Sequence, residues 1–148
     1  MPILTLQCAQ DGPTIQVIVG VSKPRYDALT LAGIKIPPPQ VARFLIDTGA
    51  SGTLIDPSIL QPLGIPVSGT GSMMTPSTGG TPHPCNLFDV SLLVPHGQNS
   101  YHMLTPCVPA IESVLSHQGI DGLLGRDVLQ SCLFRYNGTS SFYILAIE

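Results

Sequence analysis

The sequence predicts an all-β domain with one or two short helices, for three reasons. Fifteen glycines and fifteen prolines are spread through the 148 residues and leave little room for long helices. Between positions 15 and 21, β-branched residues alternate in the manner of a strand with one apolar face. The apolar stretch 133–147 is divided by Asn137-Gly138, a typical hairpin turn. At this length we expect a single domain over residues 1–148.

The first 40 residues are predicted to form a hairpin followed by a loop. The stretch 15–21 is expected to pair with residues 3–8, because Asp11-Gly12 between them supplies the positive φ of a tight turn. The stretch 22–40 contains Pro37-Pro38-Pro39 and cannot be a central strand, since proline lacks the backbone donor. We therefore expect a loop plus an edge strand there.

The remainder of the chain is predicted to be mostly strands. Residues 67–84, rich in glycine, serine, threonine and proline, are expected to form a mobile hairpin, and residues 87–94 a strand with one apolar face. Helical spacing of apolar residues predicts short helices at 109–117 and 126–132. The last strand of the terminal hairpin, 133–147, is strongly apolar, and we expect it to be exposed and to pair with another chain.

Composition and charge argue against several classes of protein. Charged residues make up only 10% of the chain and the formal net charge is −3, unlike a nucleic-acid binder or a disordered acidic segment. The first residues lack the features of a secretory signal, and no apolar run approaches the roughly 18–20 residues that span a bilayer. We expect a cytoplasmic protein that binds neither membranes nor nucleic acids, and the low charge favours homo-oligomerisation.

The cysteines and histidines do not indicate a metal site or a cofactor. Cys8, Cys85, Cys107 and Cys132 are far apart and include no C-x-x-C pair. The four histidines are not spaced at i, i+4 with an acidic residue on a convincing helix. We predict reduced thiols and neither a bound metal nor a cofactor.

The strongest indication of chemistry is an aspartate at the end of an apolar run. Residues 41–46 predict a buried strand, which Asp47-Thr48-Gly49 terminates. An Asp-Thr-Gly triplet alone also occurs in ordinary turns, where the aspartate caps its own loop. A carboxylate at the end of a buried strand is costly, however, unless the protein uses it.

Two segments together resemble the signatures of the retropepsin family of aspartic proteases. Residues 44–51 are similar to the family's active-site loop, in which apolar residues precede Asp-Thr-Gly-Ala and a short apolar strand follows. Residues 123–129, Leu-Leu-Gly-Arg-Asp-Val-Leu, are similar to the second signature, an apolar pair, Gly-Arg-Asp or Gly-Arg-Asn, and an apolar pair that opens a helix. The resemblance implies the acid-protease fold, a closed barrel with a flap hairpin near residues 70–85.

The resemblance also implies roles for individual residues. The catalytic triplet is matched by Asp47, Thr48 and Gly49, and the residues that hold the active-site loop from behind are matched by Gly125, Arg126 and Asp127. Substrate contacts are expected from Ala50, Ser51, Leu54, Met73, Met74 and Leu123. The two methionines are assigned to the flap by position only, and they would serve equally as gap-filling core residues.

Two departures from the family pattern are expected to matter. Ala50 replaces the serine of many acid-acting relatives and so lacks a hydroxyl that would stabilise the ionised carboxylate, which predicts a less acidic pH optimum. Ser51 replaces an aspartate that pairs with the matching arginine in many viral members. Arg126 is therefore left with three candidate partners: Asp127, Asp121 or loop carbonyls.

The implied activity is hydrolysis of extended polypeptides at apolar sites. Two carboxylates held close together share one proton, so that one activates a water molecule while the other protonates the peptide carbonyl oxygen. Because the chain contains one Asp-Thr-Gly, the second carboxylate must come from a second copy, and a homodimer is obligatory. The alternative is a non-catalytic module that keeps the fold and binds peptides or dimerises without cleaving.

Overall fold

The computed structural model describes residues 2–73 and 79–148, and strands predominate in these ranges. The strands are β1 (Ile3–Gln7), β2 (Thr14–Val21), β3 (Gln40–Ile46), β4 (Leu54–Ile55), β5 (Gly69–Met73), β6 (His83–Pro95), β7 (Tyr101–Glu112), β8 (Gly122–Leu124), β9 (Cys132–Asn137) and β10 (Phe142–Ile147). The helices are α1 (Lys23–Leu31), α2 (Pro57–Leu60) and α3 (Arg126–Leu129), with short 3-10 turns at Gln61–Leu63 and Ser116–Gln118. Within the described ranges, no helix is long and apolar enough to cross a membrane.

Six strands form a closed barrel around the main hydrophobic core. Hydrogen bonding runs in the order β2-β3-β8-β4-β7-β6, and β6 pairs again with β2 to close the ring, while β5 extends β6 beyond it. Alternate side chains of each strand point inward, so the apolar residues of β2, β3 and β6 fill the barrel. Completely buried examples are Val17, Val19, Phe44, Val90 and Leu92. The predicted all-β, acid-protease-like barrel with few short helices is confirmed.

The parallel pairing of β3 with β8 brings the two signature segments together. Residues 44–46 lie beside residues 122–124 in register. A glycine is needed at position 122, because a Cβ atom there would lie 2.5 Å from Cζ of Phe44. Both strands end at the same edge, so Asp47 and Gly125, the residues that follow them, emerge at one point of the barrel.

A second sheet contains the chain ends, and it corrects two predictions. Strand β1 pairs with β10 rather than with β2, and the Asp11-Gly12 turn is closed only by the isolated Ala9–Gly12 bridge. The sheet order is β1-β10-β9, so the last strand is central and mostly buried, not an exposed edge. The physical reason is burial: Tyr143, Leu145 and Ile147 of β10 belong to the main core, which a free terminal strand would leave uncovered. The predicted hairpin over 133–147 itself is formed by β9 and β10.

Two predictions about helices were wrong, and one is confirmed in part. The stretch 22–40, expected to be a loop plus an edge strand, contains α1, which begins at a Ser22 cap whose Oγ accepts from the Arg25 N–H at 3.4 Å. The helix predicted at 109–117 is instead the end of β7 followed by a loop and a 3-10 turn, because Ile111 pairs with Leu54 and with Leu87. The helix predicted at 126–132 is α3, which ends at Leu129.

In the stretch 67–84, which was predicted to form a hairpin, the structure has two strands, β5 and the start of β6. These strands pair antiparallel from Gly69 opposite Leu87 to Met73 opposite His83. Gly79 and Gly80 have φ values of 63° and 82°, which glycine adopts without strain. Met74 lies in the segment 74–78, outside the described residues.

Candidate active site

The loop after β3 holds the Asp47 carboxylate at the edge of the barrel. The Asp47 N–H donates to the Leu124 carbonyl at 3.0 Å, and the Ala50 N–H donates to the Asp47 carbonyl at 3.2 Å, which closes a turn over 47–50. The Gly49 N–H donates to Oδ1 of Asp47 at 2.9 Å. A Cβ atom at position 49 would lie 3.1 Å from that oxygen, so glycine allows the close approach. The carboxylate is thereby oriented by the backbone of its own loop.

Arg126 holds the Asp47 loop by hydrogen bonds to two carbonyl groups of that loop. Its Nη1 donates to the Thr48 carbonyl at 2.8 Å, and its backbone N–H donates to the Ala50 carbonyl at 2.9 Å. Among the three candidates, loop carbonyls are therefore correct, and neither Asp121 nor Asp127 pairs with the guanidinium in the described structure. A guanidinium suits this position because it stays charged and has several donors in a fixed plane.

Asp127 and Gly125 tie the same region to β4. Asp127 accepts from the Thr53 backbone N–H at 3.0 Å and from the Thr53 hydroxyl at 2.8 Å. The Thr53 hydroxyl oxygen in turn accepts from the Gly125 N–H at 3.2 Å. Gly125 lies so close to the backbone of Gly52 that a Cβ atom would be 2.5 Å from its carbonyl carbon and oxygen. These contacts suit the structural role that the sequence predicts for residues 125–127.

A cleft of about 440 Å³ opens in front of Asp47. Its lining includes most of the predicted site residues: Asp47, Gly49, Ala50, Ser51, Leu54, Met73 and Leu123. Thr48 is exposed and does not line the cleft, and Met74 falls outside the described residues. Gly52, Ser72 and Ile111 also line it and were not predicted. Ile111 was missed because its segment was assigned to a helix.

The floor of the cleft is apolar and is backed by a second hydrophobic cluster. Leu54, Leu115 and Ile120 are its buried members. Leu45, Met73, Ile111 and Leu123 pack against them. The cleft therefore combines one carboxylate with an apolar floor. Ligand sites in proteins commonly have such a lining, mostly apolar with a few polar groups that orient the ligand.

Asp56 is a buried carboxylate close to the site that sequence reasoning did not single out. Its side chain is only 3% exposed and caps α2, with Oδ1 accepting from the Ser58 N–H at 2.9 Å. Oδ2 accepts from the N–H groups of Leu115 and Ser116 at 2.7 and 2.8 Å. Burial by itself raises the pKa of Asp56, but these hydrogen bonds outweigh it and lower the pKa to about 2. An aspartate directly before Pro57 is a helix-start signal that could have identified the cap.

The lowered pKa predicts that Asp56 contributes to acid sensitivity. Because its folded-state pKa lies below the usual 3.8, its stabilising effect is complete above that value and is lost as the pH falls toward 2. Thermal unfolding followed between pH 6 and pH 2 should show a steep loss of stability in the wild type. Asp56→Asn should be less stable at pH 6 and should lose several degrees less on acidification. Parallel curves for the two proteins would contradict the prediction.

The described residues contain no group of three or more His, Cys, Asp or Glu side chains placed to hold a metal ion. All four cysteines lie in the described ranges as free thiols.

A comparison with protein families agrees with the barrel and the loop geometry. A family model described as aspartyl protease matches residues 29–128, which include both the Asp47 loop and the Gly125-Arg126-Asp127 segment. The chain belongs to this retropepsin-like aspartyl protease family. A search of curated proteins finds no significant match.

Proposed function

We propose that this protein is an aspartic endopeptidase that cleaves extended polypeptides at apolar sites, with Asp47 from each of two copies as the catalytic pair. The observation that carries the proposal is the Asp47 carboxylate, which is held by the Gly49 N–H at the mouth of an apolar cleft. Membership of the aspartyl protease family supports the same general activity. The dyad, the dimer and the apolar specificity are the steps taken beyond it.

The proposed mechanism needs two carboxylates that share a single proton. The ionised carboxylate takes a proton from a water molecule lying between the two groups, and the water oxygen attacks the peptide carbonyl carbon. The protonated carboxylic acid gives its proton to the carbonyl oxygen, and a tetrahedral diol forms. The carboxylic acid formed in the first step then gives its proton to the leaving nitrogen while the ionised carboxylate takes a proton from one diol hydroxyl, so that the C–N bond breaks, a carbonyl forms and the pair again shares one proton. No covalent bond forms between enzyme and substrate at any step.

Dimerisation is proposed because the sequence contains a single Asp-Thr-Gly. A two-fold axis beside the loop would place two copies of Asp47 face to face, and the exposed Thr48 side chain is available for contact across it. The three-stranded sheet β1-β10-β9 also supports dimerisation. Ile3, Leu133 and Phe142 lie on its outer face and are 55%, 57% and 45% exposed, which favours coverage by another protein surface.

Substrates are proposed to bind as an added strand. Within the described ranges β5 pairs only with β6, so its other edge has backbone donors and acceptors available for an extended peptide. The apolar floor formed by Leu54, Ile111 and Leu123 favours aliphatic or aromatic side chains beside the cleaved bond.

The first test is incubation of the protein with an unbiased peptide library between pH 3 and pH 8, with the mass in solution measured under the same conditions. Cleavage between apolar residues by a dimer is expected. A dimer that cleaves nothing at any pH would instead favour the peptide-binding or dimerisation module.

Ala50→Ser is expected to shift the acid limb of the pH–rate profile to lower pH. A hydroxyl at the cleft-lining position 50 would be placed to donate to the ionised Asp47 carboxylate and so favour the charged form. The same substitution on the exposed helix α1, Ala28→Ser, is the matched control and should leave the profile unchanged. A wild-type optimum near pH 3 would contradict the argument.

A further inference from the structure

The buried Asp56 carboxylate has no part in the proposed mechanism. In the described structure it accepts three backbone hydrogen bonds, whereas the Asp47 carboxylate accepts one. Three backbone N–H groups, those of Ser58, Leu115 and Ser116, donate to it at 2.7–2.9 Å. Two of these donors lie about 60 residues further along the chain, at the start of the segment 113–121. Asp56 therefore joins α2 to this distant segment.

A second aspartate fastens the other end of the same segment. Oδ2 of Asp121 accepts from the Arg43 N–H at 2.8 Å, and the Asp121 N–H donates to the Arg43 carbonyl at 2.8 Å. The Asp121 carbonyl also accepts from the Asp56 N–H at 2.8 Å. Segment 113–121 is thus attached at its start to the N-terminus of α2 and at its end to β3, and its middle forms an exposed 3-10 turn.

The segment supplies the support of the cleft floor. The Leu115 N–H donates to Asp56, so its backbone is held in place. Its side chain is 4% exposed and lies in one buried cluster with Leu54 and Ile120. Leu123 and Met73, both of which line the cleft, pack against this cluster. A shift of Leu115 would leave space behind the floor, and closely packed interiors transmit such a loss to their neighbours.

The segment also faces the hairpin of β5 and β6. Ser113 and Val114 line a recess of about 420 Å³ together with Met73 and His83 of the two hairpin strands. Val114 is 60% exposed there although it is apolar. The same segment therefore borders both the floor of the cleft and the hairpin beside it.

We infer that Asp56 is a positioning residue for substrate selection: its carboxylate holds segment 113–121 so that Leu115 supports the apolar floor of the cleft. This inference rests on the proposed protease function and adds to it the residue on which the preference for apolar side chains depends. Asp56 touches neither the substrate nor the reacting atoms, and it acts through Leu115.

Asp56→Asn is the variant that tests the inference. An amide has one acceptor oxygen where the carboxylate has two, and its NH₂ group must face at least one of the three N–H donors. The wild type and the variant are compared on a peptide from the library and on the same peptide with alanine in place of its preferred apolar residue. The ratio of the two kcat/KM values should fall about tenfold in the variant, through KM rather than kcat.

Three further measurements make the result decisive. Asp121→Ala removes the side-chain acceptor of the Arg43 N–H at the other end of the segment and should lower the same ratio, so it carries the test if Asp56→Asn does not fold. Asp27→Asn removes an exposed carboxylate, 57% exposed on α1, and should leave the ratio unchanged. Hydrogen exchange at the Leu115 and Ser116 amides, which needs no activity, should become at least tenfold faster in Asp56→Asn.

The outcomes separate the inference from the proposed function. Discrimination that stays at the wild-type level in both folded aspartate variants would overturn the inference and leave the protease function intact. A fall in kcat with unchanged KM and unchanged discrimination would also overturn it, because it would indicate a general loss of active-site structure. A wild-type protein that cleaves no peptide would defeat the proposed function and the inference with it.

Discussion

Asp47→Asn is expected to lower kcat/KM for peptide cleavage by about 10³-fold or more, since an amide can neither take a proton from water nor give one to a carbonyl oxygen. The amide oxygen can still accept from the Gly49 N–H, so the loop and the barrel should be retained. The measurement is steady-state kinetics on the best library peptide between pH 3 and pH 8. Circular dichroism and solution mass should match those of the wild type.

The control for this substitution is Asp27→Asn, the same chemical change on the exposed face of α1, where the carboxylate pairs only with Lys23 in the described structure. It should retain wild-type kinetics. Equal cleavage by the wild type and Asp47→Asn would show that Asp47 is not the catalytic group, and the proposed mechanism would have to be abandoned.

Gly125→Ala is expected to have the largest effect on stability. The added Cβ atom would lie 2.5 Å from the carbonyl carbon and oxygen of Gly52 and 3.0 Å from the Thr53 nitrogen. These are backbone atoms, which cannot move aside as the end of a side chain can. We expect a loss of about 3 kcal/mol in the free energy of unfolding, measured by urea denaturation, together with loss of any peptidase activity.

Gly69→Ala is the matched control in the same protein. The nearest atom to a Cβ at position 69 is Leu87 Cδ1 at 3.8 Å, an ordinary contact, and the backbone there needs no positive φ. Its unfolding free energy should change by less than about 1 kcal/mol. If the two glycine variants were equally stable, the tight contact between the Gly125 segment and β4 would not have the importance assigned to it.

The sequence allowed the fold class and the candidate site to be predicted because both have local signals. Short strands followed from the distribution of glycine and proline, and the Asp47 loop and the Gly125-Arg126-Asp127 segment stand as contiguous motifs. That the two motifs meet came from the family resemblance, not from any pattern in the residues. The structure supplies the physical cause, which is the parallel pairing of β3 with β8.

Strand partners could not be predicted in the same way. The Asp11-Gly12 turn favours a hairpin between neighbours, but the decisive term is the burial of β10 on the core, more than 130 residues away from β1. The serine that caps α1, Ser22, could be recognised in the sequence. The prediction gave more weight to the three prolines at 37–39 and therefore expected a loop. Rules for local structure evaluate each signal separately, whereas the structure of the folded chain depends on the sum of the local and long-range free energies.

The residues that support the cleft were missed for a related reason. Ile111, Val114 and Leu115 have helical spacing, yet short apolar runs fit a strand equally well, and the pairing of Ile111 with Leu54 decides for the strand. The contact between Asp56 and Leu115 spans 59 positions and involves a backbone donor. Because every residue except proline has that donor, the residue types in the sequence do not identify the contact.

The central claim, that two copies of Asp47 form one active site, is tested most directly by mixing wild type with Asp47→Asn. Subunits are allowed to exchange at a fixed total concentration, and peptidase activity is measured against the fraction of wild type. If only the dimer of two wild-type chains is active, activity follows the square of that fraction, and an equal mixture retains about one quarter of the full activity. Activity proportional to the fraction itself, about one half in the equal mixture, would mean that each chain works alone.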